Sequence, residues 1–467
     1  MIRQHRRMAA GFAIQALTLL VLYALEPVDV FSLVIVAAVL IVCSAWQPVT
    51  GIAVTAALLP LYHRPIRFDF GTLPTAEIAL LTTIAGAMLH VTSATVRGRS
   101  LAALDDVYRR TVNSRLVWIL FFLTLMGTIS LLVNWSGAAT GEGLREIRWT
   151  LVEPLLFVGL LVSFCRTRLQ RGSIVAAYLI GALAFGAVAL GDIFTGAGVR
   201  AGEVTRISGV YSHPNAMAMY STRALVFGVA LIFLTRQFRW HWMTTAAVST
   251  VIVALTFARN ALLAIAAVGI AMTWTVGRRI RGIAVAFAVA VGLALVAVAP
   301  QRMLDGLAGG SLDLRVDIWR SAILMIRDHP VFGIGPDQFF ALYAPRYVEP
   351  TGWGERFTAH AHNLILDSWL RLGIIGAVFV ILVMFLCASR VLRISKEWQV
   401  QPPLRSAAIL ALAVILLQGM IDNAYFVHDL AMSAWLLAWL GFESEVTSAE
   451  EGCSEYESAC YRRRRTG

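Results

Sequence analysis

Residues 317–339 read D-I-W-R-S-A-I-L-M-I-R-D-H-P-V-F-G-I-G-P-D-Q-F, and residues 359–376 read A-H-A-H-N-L-I-L-D-S-W-L-R-L-G-I-I-G. These two pieces bring arginines, histidines and carboxylates into a polar insertion between stretches that are otherwise apolar. Ionisable groups at the edge of a membrane are costly and usually have a functional use. The insertion therefore interrupts a membrane domain and is the first place in which to expect a functional site.

The composition indicates a membrane protein. Hydrophobic residues make up 58% of the 467 residues and charged residues only 14%, whereas a soluble domain carries roughly 25% charged residues. The fold class expected is all-α and polytopic, with about 12–14 transmembrane helices, because apolar runs of about 17–25 residues recur along the chain. The predicted spans are 9–25, 30–46, 49–62, 76–91, 116–134, 150–165, 174–192, 216–235, 243–258, 260–276, 283–299, 363–388, 406–421 and 427–442.

The distribution of basic residues predicts the topology. Arginines and lysines are concentrated in every second loop, and such an excess is typical of cytoplasmic loops. Both termini are therefore expected in the cytoplasm and the insertion on the extracytoplasmic side. The net charge of +11 is then a topology signal with a weak preference for anionic lipid, and nucleic acid is not an expected partner.

Three regions are expected along the chain. Residues 1–200 form N-terminal transmembrane helices, residues 201–442 form a membrane core that includes an extracytoplasmic loop at 300–362, and residues 443–467 form a polar cytoplasmic tail. No glycine-rich phosphate loop, paired cysteine motif or zinc-protease motif occurs in the sequence. No metal site and no cofactor are expected.

Short helices are expected within the insertion. Its first part, Leu314 to Arg327, has helical periodicity, and Pro330, Gly333 and Pro336 predict a turn after it. The polar segment 346–356 should be mobile, and its Trp353 offers a flat face for a sugar. The apolar face predicted for the helix contains Val316, Trp319, Ile323 and Ile326.

Several ionisable residues should meet on the extracytoplasmic side. An arginine presents a planar fork of donors that matches phosphate oxygens, and a histidine can accept the proton of an attacking hydroxyl group. The pattern favours transfer of a glycan from a polyprenyl diphosphate to an acceptor alcohol. The residues concerned are Arg206, Arg259, Arg315, Arg320, His360 and His362.

Structural roles remain open for the same side chains. Arg315 and Arg320 can pair with the neighbouring Asp313 and Asp317, and His362 can bond to backbone at a helix start. Glu153 is expected to pair with Arg148 or Arg145. Arg223 and Arg371 are expected to serve packing or to anchor a span at the membrane interface, whereas Asp192, Asp367 and Asp422 allow no assignment singly.

Four ordered pieces resemble the O-antigen ligase/polymerase family of membrane glycosyltransferases. They are R-I-S-G-V-Y-S-H-P-N-A-M-A from Arg206, T-F-A-R-N from Thr256, L-R-V-D-I-W-R-S-A with H-P-V-F-G-I-G-P-D-Q-F, and A-H-N-L-I-L-D-S-W-L-R-L-G-I-I-G. The resemblance covers about 200–390, and the first 200 residues match only as a run of spans. Many members have a serine before the arginine of the short turn, where this chain has Ala258.

The resemblance implies a metal-independent enzyme of the cytoplasmic membrane that uses an undecaprenyl-diphosphate-linked glycan as donor. Arg206 and Arg259 would hold the diphosphate, and His362 would activate the hydroxyl group of a lipid, glycan or protein acceptor, with His360 as a second candidate base. Arg315, Arg320, His360 and Trp353 are the expected substrate-binding residues. One inverting displacement is expected, because no side chain offers itself as a covalent nucleophile.

Three alternatives remain at this point. A ligase and a polymerase share the donor chemistry and differ only in their acceptor. A transporter of lipid-linked glycan would need broken helices in two corresponding halves and charges near the membrane midplane. A glycan-binding membrane protein without catalytic activity is the third.

Overall fold

The computed structural model describes residues 2–24, 27–69, 71–96, 102–135, 140–201, 204–235, 240–273, 310–397 and 402–443. Eighteen α-helices occur in these ranges. The first nine are Ile2–Ala24, Val30–Trp46, Pro48–Ala57, Thr75–Val96, Ala102–Asn113, Arg115–Val133, Thr140–Ile147, Glu153–Phe164 and Arg168–Thr195. The other nine are Pro214–Thr235, Trp240–Leu255, Arg259–Thr273, Gly310–Asp328, Phe339–Leu342, Leu364–Leu372, Ile374–Glu397, Pro403–Gly419 and His428–Phe442.

The remaining regular structure is short. Two antiparallel hairpins join Pro65–Phe68 to Gly71–Pro74 and Val199–Ala201 to Val204–Arg206. Turns of 3₁₀ type lie at Leu59–His63 and Pro350–Glu355, and π-type turns lie at Arg148–Val152 and Tyr343–Tyr347.

Seven helical stretches among the described residues are long and apolar enough to cross a membrane, and one of them joins Thr140–Ile147, Arg148–Val152 and Glu153–Phe164. They are Arg7–Ala24, Thr75–Ser93, Arg115–Val133, Thr140–Phe164, Arg168–Thr195, Pro214–Thr235 and Ile374–Glu397. Five shorter apolar helices accompany them, at Val30–Trp46, Pro48–Ala57, Trp240–Leu255, Arg259–Gly269 and Pro403–Gly419. The prediction of an all-α polytopic membrane protein is confirmed. The predicted span 283–299, the end of span 260–276, the start of the insertion and nearly all of the tail lie outside the described residues.

The buried centre of the bundle positions the site. Pro214–Thr235 packs between Trp240–Leu255 and Pro403–Gly419, and the first and last of these three helices are buried along most of their length. The loop that ends in Pro214 and the loop that follows Gly419 therefore meet at one end of the bundle.

The predicted span 363–388 is wrong. Residues 363–388 form two helices, Leu364–Leu372 and Ile374–Glu397, separated at Gly373, whose φ is +72°. The end of the first helix leaves carbonyl groups without helical partners, and the carbonyl of Leu370 accepts the N–H groups of Ile334 (2.7 Å) and Gly335 (3.1 Å). The 329–338 turn of the insertion thus completes this helix end. Apolarity alone could not show the break, because both sides of Gly373 are apolar.

The predicted apolar face of the first insertion helix is also partly wrong. Val316 and Ile323 are exposed, whereas Ile318 and Met325 are buried with Ile326. The buried face packs on Tyr343, Ala361 and Leu370. A helix face that is shifted by two positions along the sequence has almost the same apolar periodicity. Which of the two faces is buried depends on the residues that pack against the helix. The 346–356 segment, predicted to be mobile, contains the Pro350–Glu355 turn.

Arg371 joins the insertion to the helices beneath it. Its buried guanidinium donates to Glu146 Oε1 at 2.8 Å and to Asp367 Oδ1 at 2.7 Å. Glu146 accepts the backbone N–H of Asp337 in the insertion, and Asp367 accepts the N–H of Ala361 at 2.9 Å. Arg371, expected to serve packing, is therefore the centre of a buried ion-pair network that contacts the insertion at Asp337 and at Ala361.

Replacing Arg371 with Leu should destabilise the protein by about 3–5 kcal/mol, because two buried carboxylates would lose their counter-charge. The expected result is a clear fall in the thermal unfolding midpoint in detergent. Arg109→Leu is the matched control: its pair with Asp105 is exposed on both sides and should contribute at most about 1 kcal/mol. Equal midpoints for the two variants would contradict the network.

Candidate functional site

Five segments of the chain meet around the carboxylate of Asp422. They are the start of the helix Pro214–Thr235, the start of the helix Arg259–Thr273, the insertion helix Gly310–Asp328, the loop before Leu364, and the loop after Gly419. We call the following residues the Asp422 cluster: Arg206, Asn215, Asn260, Arg315, His362 and Asp422.

Both oxygens of Asp422 are engaged. Oδ1 lies 3.1 Å from His362 Nδ1 and accepts the N–H of Asn423 at 2.9 Å. Oδ2 accepts the side-chain amides of Asn215 (2.8 Å) and Asn260 (3.2 Å), and it lies 3.9 Å from a guanidinium nitrogen of Arg315. Burial alone would raise the pKa of Asp422, but the hydrogen bond and charge of His362, with the charge of Arg315, hold that pKa below its ordinary value. The group is therefore an ionised carboxylate held by donors.

His362 is fixed by the start of the next helix. Asn363 caps that helix, since its side chain accepts the N–H groups of Ile365 (3.0 Å) and Leu366 (3.2 Å). His362 itself has φ +51°, a left-handed conformation that is uncommon outside glycine and costs energy. Its Nε2 lies 3.2 Å from the hydroxyl oxygen of Thr358. The partner of Nδ1 is thus the Asp422 carboxylate, rather than the backbone group left open as the structural alternative.

Arg206 is buried at the end of the second hairpin. Its Nε donates to the carbonyl of Thr256 at 2.6 Å, and one terminal nitrogen donates to Asn215 Oδ1 at 2.7 Å. The amide of Asn215 in turn donates to Asp422. Arg206 therefore reaches the histidine through a continuous chain of hydrogen bonds.

Arg259 and Arg315 bring two more positive charges. Arg259 follows a turn in which Phe257 has φ +48°, and it begins its helix. Burial lowers the pKa of Arg315, and the charge of Arg259 lowers it further, against the opposite effect of Asp422. Two arginines close enough to repel each other form an environment suited to an anion.

The other sequence-predicted residues divide into two groups. His360 lies beside His362, with ring centroids 4.1 Å apart, and burial together with His362 lowers the pKa of His360 to about 4. Arg320 is 65% exposed and pairs with Asp317 at 3.1 Å, as its structural alternative predicts. Trp353 is also exposed and carries the Arg356 guanidinium over its ring at 5.0 Å. Arg320 and Trp353 therefore lie on the surface of the insertion.

Three polar residues of the site escaped sequence reasoning. Asn215 and Asn260 lie inside the quoted motifs, directly after Pro214 and Arg259. Their position in those motifs was the one feature of the sequence that could have indicated a place in the site. Asp422 lies 60 positions from His362, and no pattern in the sequence links them.

A second polar cluster includes the predicted partner of Glu153. Arg148 Nε lies 3.6 Å from Glu153 Oε1, which confirms that pairing, and a terminal nitrogen of Arg148 lies 3.2 Å from Glu77 Oε2. Tyr62 donates to Glu153. Arg223, expected to serve packing, donates to the carbonyls of Leu430 and Ala424.

Fold and site together define a polytopic membrane protein whose charged site is built from loops at the ends of its helices. Residues 244–381 match the family model of the O-antigen ligase, a range that includes Arg259, Arg315 and His362. No curated protein matches the chain. The resemblance to the O-antigen ligase family is thus confirmed for this domain, which supports in general terms a membrane glycosyltransferase of the O-antigen ligase and polymerase type.

Proposed function

We propose that the Asp422 cluster transfers a glycan from an undecaprenyl-diphosphate donor to an acceptor hydroxyl group, in one step that needs no metal. The observation that carries this proposal is the buried, ionised Asp422 bonded to His362 Nδ1 beside two arginines. A carboxylate on one ring nitrogen fixes the other nitrogen as the basic one, the logic of acid-oriented histidines in many hydrolases.

In this mechanism His362 is the general base. With the proton held on Nδ1 by Asp422, the lone pair of Nε2 points toward the region of the Thr358 hydroxyl, 3.2 Å away. An acceptor hydroxyl reaching that nitrogen would give up its proton as its oxygen attacks the anomeric carbon. His360 is the weaker candidate base, since a pKa of about 4 leaves it little basicity near neutral pH.

The donor diphosphate would bind to the arginines. The bond between the anomeric carbon and the diphosphate oxygen breaks as the new bond forms on the opposite face, and the electron pair leaves with the diphosphate. Each arginine at about 4 Å stabilises the growing charge by roughly 4 kcal/mol before desolvation is subtracted. Arg259 and Arg315 are the direct contacts we assign. Arg206 adds charge and orients Asn215.

The glycan and acceptor would extend along the insertion. Trp353 and Arg320 are exposed there, and an aromatic face with a nearby charge suits a sugar chain.

We assign residues 1–200, 201–442 and 443–467 to the three predicted regions. The cluster lies on the extracytoplasmic side of the cytoplasmic membrane and both termini lie in the cytoplasm, since the basic residues favour that orientation.

A transporter is disfavoured by the position of the charges. The Asp422 cluster is made from loops and helix ends, whereas transporter sites lie near the midplane in discontinuous helices of two related halves. Ligase and polymerase share every feature of the site described above, so the product must decide between them.

The test is an assay of the purified chain in detergent with a defined undecaprenyl-diphosphate oligosaccharide and a panel of lipid, glycan and peptide acceptors, with EDTA present. Products are resolved by mass. Glycan on an unrelated acceptor would identify a ligase, and a longer lipid-linked glycan a polymerase. Failure with every acceptor, together with movement of labelled lipid-linked glycan across vesicles containing the protein, would replace the proposal with transport.

A further inference from the structure

Three potential metal ligands lie together in the site. One ligand atom each from His360, His362 and Asp422 all fall within 4.8 Å of one another. The atoms His362 Nδ1 and Asp422 Oδ1 are 3.1 Å apart. In a tetrahedral zinc site, bonds of about 2.0–2.1 Å place neighbouring ligand atoms roughly 3.4 Å apart. These two atoms are therefore already near the required separation, and His360 offers a third ligand atom within 4.8 Å of a ligand atom of each of the other two residues.

We propose that His360, His362 and Asp422 form an inhibitory site for a transition-metal ion such as Zn²⁺. Two imidazoles, one carboxylate and an open fourth position are a common zinc arrangement. Asn215 and Asn260 hold the other oxygen of Asp422, as outer-shell partners hold ligating carboxylates in metal proteins. His362 and His360 are both partly exposed, so an ion can enter.

The surrounding charge restricts which ion binds. Arg315 lies 3.9 Å from Asp422 Oδ2, and Arg259 is close enough to influence Arg315. These positive charges oppose any cation held only by electrostatic attraction. Mg²⁺ and Ca²⁺ prefer several oxygen ligands, whereas imidazole suits Zn²⁺, Ni²⁺ and Cu²⁺. Binding should therefore be confined to metals with high affinity for histidine.

Inhibition follows from the tautomer of His362, and this half of the inference rests on the proposed function. A neutral imidazole carries one proton on one of its two nitrogens. A metal on Nδ1 displaces that proton from its bond to Asp422 and leaves the neutral ring protonated at Nε2. The nitrogen that should accept the proton of the acceptor hydroxyl is then no longer basic.

The experiment uses the full chain without a polyhistidine tag, treated with chelator, desalted and titrated with Zn²⁺ by calorimetry and with Co²⁺ by visible absorption. One site per chain is expected, with no binding of Mg²⁺ or Ca²⁺. His360→Ala and Asp422→Asn should each weaken binding by at least about tenfold, the lower limit for loss of an outer-shell partner. His329→Ala, in the same insertion, is the matched control and should bind as the wild type does.

The outcomes separate the two ideas. No saturable binding, or unchanged binding in the His360 variant, overturns the site. His360→Gln preserves the side-chain volume and replaces His360→Ala if that variant elutes as aggregate. In the transfer assay without EDTA, Zn²⁺ should abolish transfer and EDTA should restore it; saturable binding with undiminished transfer contradicts inhibition. If no transfer occurs with any acceptor, the proposed function fails, and the titration still decides the metal site.

Discussion

His362→Ala should lower the rate of glycan transfer by about 10²–10⁴-fold, the contribution of a positioned general base. Asp422→Asn should have a similar effect, because an amide at this position can donate to Nδ1 and leave the proton on Nε2. The two groups act as one unit, so the double variant should be little worse than either single variant. Initial rates under saturating donor and acceptor would measure this.

The control for these variants is His329→Ala, which removes a histidine from the insertion without touching the Asp422 cluster. It should retain the wild-type rate. Multiplicative losses in the double variant would show that His362 and Asp422 act independently, and a fully active His362→Ala protein would remove His362 from the mechanism.

Arg259→Lys should lower the transfer rate by about 10²–10³-fold, a loss like that of one preorganised donor to a developing charge. Lysine keeps the charge but offers a point-like ammonium in place of a planar fork with two parallel donors. The loss should appear mainly in kcat when the donor lipid is varied, because in the proposed mechanism the charge on the leaving diphosphate grows in the transition state.

Arg327→Lys is the matched control for that variant, because Arg327 lies in the last turn of the Gly310–Asp328 helix and is exposed. It should be indistinguishable from the wild type. An Arg259→Lys protein with unchanged kcat would place Arg259 outside the site and leave Arg315 as the principal contact of the diphosphate.

Much of the fold was accessible from the sequence because a bilayer imposes simple rules. Apolar length predicted the helices at 30–46, 116–134 and 216–235 almost to the residue, and the glycines and prolines of 330–336 predicted the turn. The break at Gly373 was not accessible, since it depends on the distant 329–338 turn supplying N–H groups to the carbonyl of Leu370.

The site was accessible only in part, for a related reason. Arginines and histidines stand out in an apolar chain, and Arg206, Arg259, Arg315 and His362 were selected on that ground. Asp422 was noticed but could not be interpreted, because its role depends on contacts with two helix starts and one loop that are far away in sequence. Arg320 and Trp353 stood out equally, yet Arg320 pairs within its own helix and Trp353 lies on the exposed surface.

The left-handed backbone at His362 has a consequence for the evolution of this protein. A residue other than glycine at φ +51° costs on the order of 1–3 kcal/mol, so glycine would relieve strain at the one position where the imidazole is needed. Selection for folding alone would favour glycine at 362, and selection for glycan transfer would oppose it. A library screened only for thermal stability should accumulate that replacement, whereas one screened for surface polysaccharide should retain histidine.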